Sequence, residues 1–244
     1  MSTTVKFGER YCSVPTMCKV LSLGGSLISE GGADYVLKVA NVLAKVSKHI
    51  RLVVVVGGGG VAREYISIAK EVGMSSDYMD HIGIEVTRLN ARIIRDVLAK
   101  LGADVYPGMP RCVSEACEEI KKHRIVVMGG TYPGHSTDAV AAEIAAELGA
   151  CFVNASVVDG IYDKDPKVCK DARKIERISY GDIRKVAGDG WNKPGINLVI
   201  GPIAAKIISE KRIKCCFIGG FDTETLRNVL LGGRCTGTVV GEWE

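Results

Sequence analysis

A mainly parallel β-sheet covered on both faces by helices, a three-layer α/β/α sandwich, is the fold class this 244-residue sequence predicts, and three observations predict it. Short runs rich in β-branched residues read as continuously apolar, the pattern of strands buried on both faces. Longer stretches with helical apolar spacing alternate with them. Nearly every apolar run then exits through glycine. With 47% hydrophobic and 25% charged residues the chain has the composition of an ordinary globular protein able to bury a sizeable core.

Taken in order, Val20 to Leu23 reads as a first strand and runs into Gly24-Gly25-Ser26. From Tyr35 to Val46 the residues Val36, Val39, Ala40, Leu43, Ala44 and Val46 mark one helical face. Leu52 to Val56 is a second strand, ending in Gly57-Gly58-Gly59-Gly60, with Arg63 one turn into the helix that follows. A third, Ile125 to Met128, leads into Gly129-Gly130-Thr131 and an alanine-rich helix over Val140 to Leu148. Cys151 to Val158 reads as a fourth strand, closed by Asp159-Gly160. Pro202 to Ile208 reads as a helix with proline in its first turn, and Cys215 to Ile218 as a fifth strand before Gly219-Gly220. Between them Ser179 to Gly201, carrying Trp191 and Pro194, is rich in glycine and polar residues. Two readings stand for it, a mobile flap and an ordinary surface excursion. Residues 1–18 form an N-terminal extension with no assigned role, and residues 19–244 are expected to form one domain.

Composition excludes several classes. The formal charge of +4 is modest and its lysines and arginines are dispersed among acids, so nucleic acid is not expected as a partner. Apolar runs such as Leu52 to Val56 are too short to span a bilayer, and the first eighteen residues hold no apolar run of signal-peptide length. Nine scattered cysteines include no C-x-x-C pair and suggest no disulfide framework; they are read as reduced, structural thiols, which with the missing export signal implies a cytoplasmic protein. No cluster of metal-ligating residues is expected.

The glycine exits carry the chemistry. In an open α/β sheet, ligands lie beyond the carboxyl ends of the strands, where loops without Cβ atoms let backbone N–H groups approach an anion. A helix starting directly after such a loop adds unpaired N–H groups and its positive dipole end. Several such loops along one edge suit a ligand with several phosphates. The dinucleotide fingerprint G-x-G-x-x-G is not found. Gly129 to Ser136 has P-loop spacing, but His135 stands where that loop needs a permanently charged lysine, so the segment reads as an anion cradle with hydroxyl donors Thr131, Ser136 and Thr137. Asp138 either caps the following helix or touches a ribose. Arg63 either reaches an anion at its helix N-terminus or is a surface arginine. Tyr162 either stacks on a base or fills the core.

Together Gly24-Gly25-Ser26, Val56 to Arg63, Asp80-His81-Ile82-Gly83, Gly129 to Ala142 and Val158 to Pro166 resemble the amino acid kinase superfamily and, within it, the archaeal type of uridylate (UMP) kinase; the likeness runs from about Val20 to the C-terminus. The resemblance implies a single α/β/α sandwich, its first half mostly binding the acceptor and its second half ATP, assembled as a homohexamer. It implies that Gly25, Ser26, Gly59 and Arg63 face the ATP phosphates and the transfer site. Gly58 and Asp80 would hold UMP, Asp80 through the ribose, and the loop Thr131, Tyr132, Pro133, Gly134, His135, Ser136, Thr137 would wrap the uridine and its phosphate. Ser156, Tyr162 and Asp165 would line the adenine nucleotide, with Lys206 beside Arg63 as the catalytic cations. Mg²⁺ would arrive on the ATP phosphates. The chain departs from the pattern at Ser22, where many relatives have lysine, at Ser156-Val157 in place of Thr-Asn, and at Gly201 in place of aspartate. Two further members of the scaffold stand as alternatives: an isopentenyl phosphate kinase, which would have histidine where Val56 stands, and a non-catalytic ATP- and oxyanion-binding storage protein of the molybdenum type, kept open by Gly201.

Overall fold

The computed structural model describes residues 18–164, 166, 168–188 and 199–243. In chain order the elements are β1 (Cys18–Leu23), α1 (Gly25–Val46), β2 (Arg51–Val56), α2 (Gly59–Glu71), α3 (Ser76–Lys100), α4 (Val113–Glu119) and β3 (Ile125–Met128), followed by α5 (Thr137–Leu148), β4 (Cys151–Ser156), β5 (Arg177–Ile178), α6 (Asp182–Gly188), α7 (Pro202–Lys211), β6 (Cys215–Gly219), α8 (Thr223–Leu230) and β7 (Thr238–Val240). The strands form one seven-stranded sheet in the order β3-β2-β1-β4-β6-β7-β5. Strands β1, β2, β3, β4 and β6 run parallel, whereas β7 is antiparallel to β6 and carries β5 parallel to itself.

Period-two alternation sorts the strand side chains onto two cores. Leu21, Leu23, Val54, Val56 and Val153 pack with α1, α3 and α8, while Val20, Val53, Val55 and Phe152 pack with α4, α5 and α7. The predicted three layers are the ones observed. The chain winds outward from β1 to β2 and β3, then returns through α5 to place β4 on the other side of β1. The order of strands therefore reverses between β1 and β4, and crevices in open α/β sheets form at such a switch point.

Several boundaries shift for identifiable reasons. The first helix starts at Gly25, ten residues before the periodic pattern, because it is broken at Gly32, whose φ of 58° is non-helical. The fourth strand stops at Ser156, where the hydroxyl donates to Val158 O at 2.9 Å and accepts from Val158 N–H, closing a tight turn. The long α3 and the short β5 and β7 have no counterpart in the sequence reading. Part of the Ser179–Gly201 segment is regular, namely α6, while Trp191 and Pro194 lie outside the described residues, as do residues 1–17.

One expectation is overturned. Cys216 and Cys235 form a disulfide, with Cα atoms 6.2 Å apart, tying β6 to the approach of β7. The remaining described cysteines are free thiols, and burial pushes the Cys18 thiol up to about 12. No helix among the described residues is long and apolar enough to cross a membrane.

Candidate active site at the carboxyl edge of the sheet

Two glycine loops meet backbone to backbone where β1 and β2 leave the sheet, beside the switch point. A Cβ on Gly25 would lie 2.3 Å from Gly57 O, and one on Gly59 would lie 2.3 Å from the carbonyl carbon of Gly25. Gly59 also has φ 65°, so both positions require glycine for a steric reason as well as for anion access. The contact brings the N-termini of α1 and α2 side by side at the carboxyl edge, with their unpaired N–H groups and positive dipole ends. Across this junction Arg63, exposed on α2, donates from Nη2 to Ser26 Oγ at 3.2 Å. The structure thus joins Gly25, Ser26, Gly59 and Arg63 into one cluster, and the guanidinium stands over the edge where an anion would sit.

One helix that the sequence reading left out organises the loops that leave β2 and β3. Along α3, Asp80, Thr87, Arg88 and Asn90 each hold a loop. Asn90 Nδ2 donates to Gly57 O at 2.8 Å and to Gly58 O at 3.3 Å. Thr87 Oγ1 accepts from Gly130 N–H at 2.7 Å, and Arg88 donates to Thr131 O at 3.4 Å. Asp80 Oδ2 accepts from Gly134 N–H at 2.7 Å, so the carboxylate and the loop named for the acceptor do come together. The signal for this helix was Ser75, whose side chain caps it by accepting from Tyr78 N–H, followed by an amphipathic run with two buried polar residues, Thr87 and Asn90.

The loop itself is partly satisfied from within. Tyr132 Oη donates to Glu143 Oε1 at 3.2 Å, His135 Nε2 lies 3.4 Å from the same carboxylate, and the two rings stand 4.1 Å apart. Thr131 Oγ1 and His135 Nδ1 are buried without a hydrogen-bond partner among the described residues. Orphaned polar atoms of this kind are costly unless a ligand or water completes them, which marks the loop as a binding surface. Pro133 and Gly134 form its tip, where Gly134 takes φ 82°.

Asp138 does something neither sequence reading foresaw. The helix cap is Ser136, whose Oγ accepts from Ala139 N–H at 3.2 Å, with Thr137 opening α5. Asp138 instead turns its carboxyl down onto the sheet, where Oδ1 accepts from Ser22 Oγ at 2.7 Å and from Asn154 Nδ2 at 2.8 Å. Ser22 of β1 and Asn154 of β4 are register partners, both on the α5 face. A three-residue polar bridge therefore spans the switch point. The residue keeps some exposure, but its carboxyl lies within protein, and burial pushes its pKa from 3.8 up to about 6 against the two hydrogen bonds that lower it. Asn154 was detectable as the one strongly polar side chain inside an apolar strand.

The opposite bank is held by one backbone bond between strand exits and, beyond it, by side chains. Gly220 N–H donates to Ser156 O at 2.7 Å, placing the exits of β4 and β6 together. Tyr162 Oη donates to Asp159 Oδ1 at 2.7 Å, which pushes the phenol up to about 12, and Lys174 pairs with Asp159 Oδ2 at 2.9 Å. Tyr162 is half-buried while its neighbour Ile161 fills the core, so the core-filling reading of Tyr162 is corrected. Asp165 lies outside the described residues. Lys206 stands exposed in the second turn of α7 and its side chain makes no hydrogen bond or ion pair among the described residues, so no such bond ties it to the loops. The N-terminus of that helix is close, however: a Cβ on Gly201 would lie 3.6 Å from Ser136 Oγ. Among the described residues no three His, Cys, Asp or Glu gather in a group that could hold a metal ion.

Fold and site together define an α/β protein with loops and helix N-termini arranged to hold phosphate-bearing ligands at the switch point of its sheet. The model of the amino acid kinase family matches residues 17–219, and the chain belongs to that family. It is 39% identical over 224 residues to a uridylate kinase of Thermococcus kodakarensis, covering 91% of this chain and 98% of that protein. Against a uridylate kinase of Archaeoglobus fulgidus the figures are 40% over 222 residues, 91% and 98%. The crystal structure of uridylate kinase from Archaeoglobus fulgidus superposes with a TM-score of 0.81 at 39% identity, covering 92% of this chain and all of that one. A UMP kinase from Bacillus anthracis, at 22% identity and a TM-score of 0.75, shares the fold.

Proposed function

We infer that this chain is a UMP kinase, transferring the γ-phosphoryl group of MgATP to UMP to give UDP and ADP in pyrimidine nucleotide biosynthesis. The observation that carries the reading is the match at 39–40% identity to uridylate kinases over almost their whole length. The geometry agrees with it. Asp80 and the loop from Thr131 to Thr137 form the acceptor side, and the orphaned Thr131 Oγ1 and His135 Nδ1 offer partners to a pyrimidine and its phosphate. Gly58, held by Asn90, lies on the same side. Gly25, Ser26, Gly59 and Arg63 receive the transferring phosphates, and Ser156, Tyr162 and Asp165 receive the adenine nucleotide. Residues 19–244 act as one kinase domain, acceptor half first.

The acceptor phosphate has a second pKa near 6 and is dianionic at neutral pH, so no general base is needed. Catalysis consists of holding donor and acceptor in line while Arg63, Lys206 and the N-termini of α1 and α2 neutralise charge on the shared oxygens. Mg²⁺ fits as an ion carried by the nucleotide, since it keeps most of its waters and needs few protein oxygens, and the described carboxylates form no cluster for it. It would supply charge neutralisation on the phosphate oxygens. The large exposed apolar side chains concentrate on α2 and α3, among them Tyr65, Ile68, Leu89 and Ile93, and support assembly into a homo-oligomer, the hexamer implied by family resemblance. A cytoplasmic location fits a nucleotide substrate, with the Cys216–Cys235 bond a local tie.

A coupled ADP-release assay with MgATP and each of UMP, CMP, dUMP, AMP and isopentenyl phosphate tests this. UMP turns over fastest, and Arg63→Ala lowers kcat by about 10²–10³-fold. Absence of turnover with every acceptor despite ATP binding would overturn the kinase reading in favour of an oxyanion-binding store.

A further inference from the structure

The opposite edge of the sheet carries a second concentration of positive charge that the phosphoryl-transfer site does not use. A cavity of about 590 Å³ opens there. Lys214 on its wall immediately precedes β6; Glu242 follows β7, which is antiparallel to β6; Ser179 and Tyr180 follow β5, which is parallel to β7. All of them therefore sit at the amino-terminal ends of β4 and β6. The five residues of β6 separate Lys214 from the glycine exit, a span of roughly 17 Å at strand rise, so this is a different place from the carboxyl-edge site.

Three cations face the cavity, Arg177, Arg212 and Lys214, against one carboxylate, Glu242. None of the three side chains makes a hydrogen bond or ion pair among the described residues. Arg212 is held in an unusual way. It occupies the left-handed region, φ 50° and ψ 45°, at the C-terminus of α7, a position where glycine is favoured, and it is the one non-glycine residue with positive φ among those described. Its guanidinium lies over the Tyr180 ring at 4.9 Å, and Gly241 makes room for that ring, since a Cβ there would fall 2.1 Å from the Tyr180 hydroxyl oxygen. An arginine kept at a strained position, oriented by a stacked tyrosine and left without an anion, is an outlier that points to a ligand. The volume lies in the range of small-molecule sites, and the unbalanced charge selects an anion of high charge.

We propose that this cavity binds a small polyphosphate-bearing molecule, through Arg177, Arg212 and Lys214, independently of the transfer site. Nucleoside triphosphate and inorganic polyphosphate share the recognised chemistry. Isothermal titration of the full chain with tripolyphosphate and, separately, UTP tests the site, with UMP and a non-hydrolysable ATP analogue present in excess to fill the carboxyl edge. Arg212→Gly combined with Lys214→Gln removes two cations while relieving the backbone at Arg212, and Lys214→Gln alone changes one exposed side chain. Binding to the unaltered chain weakens at least tenfold in the double variant, less in the single one, and is retained in Arg63→Ala. Tighter binding of UTP than of tripolyphosphate assigns the nucleotide as the ligand, and equal binding assigns the phosphates alone. Equal affinity of the double variant and the unaltered chain overturns the site, as does no binding once the carboxyl edge is filled. A single-stranded oligonucleotide that outcompetes both would overturn the small-ligand class.

Discussion

The two banks of the candidate active site are built by opposite means. On the bank of β1 and β2, Gly25, Gly57 and Gly59 pack carbonyl against Cα with no side chain between them, and Asn90 fastens the junction from α3. On the bank of β4 and β6 the turn after Ser156 is held near the surface by half-buried side chains, Tyr162 and Lys174, on the exposed Asp159, with the Cys216–Cys235 bond behind it. Backbone packing leaves no slack and fixes the two helix N-termini to within the precision a phosphate needs. Side-chain pairs in water contribute little each and permit adjustment. The difference teaches that the junction of β1 and β2, proposed as the transfer point, is rigid, while the bank of β4 and β6, proposed for the adenine nucleotide, tolerates change.

Gly25→Ala is the sharpest test. The added methyl has nowhere to go, so the loops separate; stability falls by about 2–3 kcal/mol in urea unfolding and kcat by more than about tenfold. A fully active Gly25→Ala protein would erase the proposed contrast.

Asp138 beneath the junction gives a stability effect of the same order, without the loss of kcat. Its folded pKa of about 6 lies above the unfolded 3.8, so as pH rises the unfolded chain releases its proton first and stability falls between about pH 4 and pH 6, by roughly 3 kcal/mol. Below pH 4 both states are protonated and the loss disappears. Urea midpoints across this window should flatten in Asp138→Asn; an unchanged slope would show that another group sets it.

On the other bank, reducing the disulfide closes the comparison from the stability side. With its cysteines 19 positions apart in sequence, its loss lowers stability by about 3 kcal/mol on the chain-entropy account. Urea unfolding of Cys216→Ala with Cys235→Ala measures it, and kcat for the transfer changes by less than about threefold. A large drop in kcat would mean that the second bank is as rigid as the first.

The smallest effect belongs to Tyr162. Removing its hydroxyl in Tyr162→Phe leaves Asp159 paired with Lys174, and stability changes by under about 1 kcal/mol. If the ring stacks on a base, Tyr162→Ala raises KM for ATP about tenfold while the phenylalanine variant stays near the unaltered protein.

Much of this was legible from residues alone where the signal was local. Buried strands and their glycine exits are consequences of neighbouring residues, and the strands lie within about two residues of where periodicity placed them, whereas the first helix starts ten residues before its periodic pattern. The grouping of Arg63 with Ser26 came from the family resemblance, since its offset after a glycine loop left a surface arginine equally open. Signals that depend on a distant partner were lost. Ser136, Thr137 and Asp138 are three successive residues able to cap a helix, and only packing against Ser22 and Asn154 decides which one turns inward. The polar stripe of α3 was silent because nothing in the sequence says which loops it faces. The pairing of Cys216 with Cys235 was missed because spacing alone cannot select two of nine cysteines.

By itself, then, the sequence determined the layered architecture, the glycine-rich edge and the family, since these rest on patterns within one turn or one strand. Only the tertiary structure decided that Gly25 and Gly59 are required by each other as well as by a ligand, that a carboxyl bridges β1 and β4 at the switch point, and that Arg177, Arg212 and Lys214 converge on one cavity. Each depends on groups brought together by the order of strands in the sheet, which no local pattern encodes.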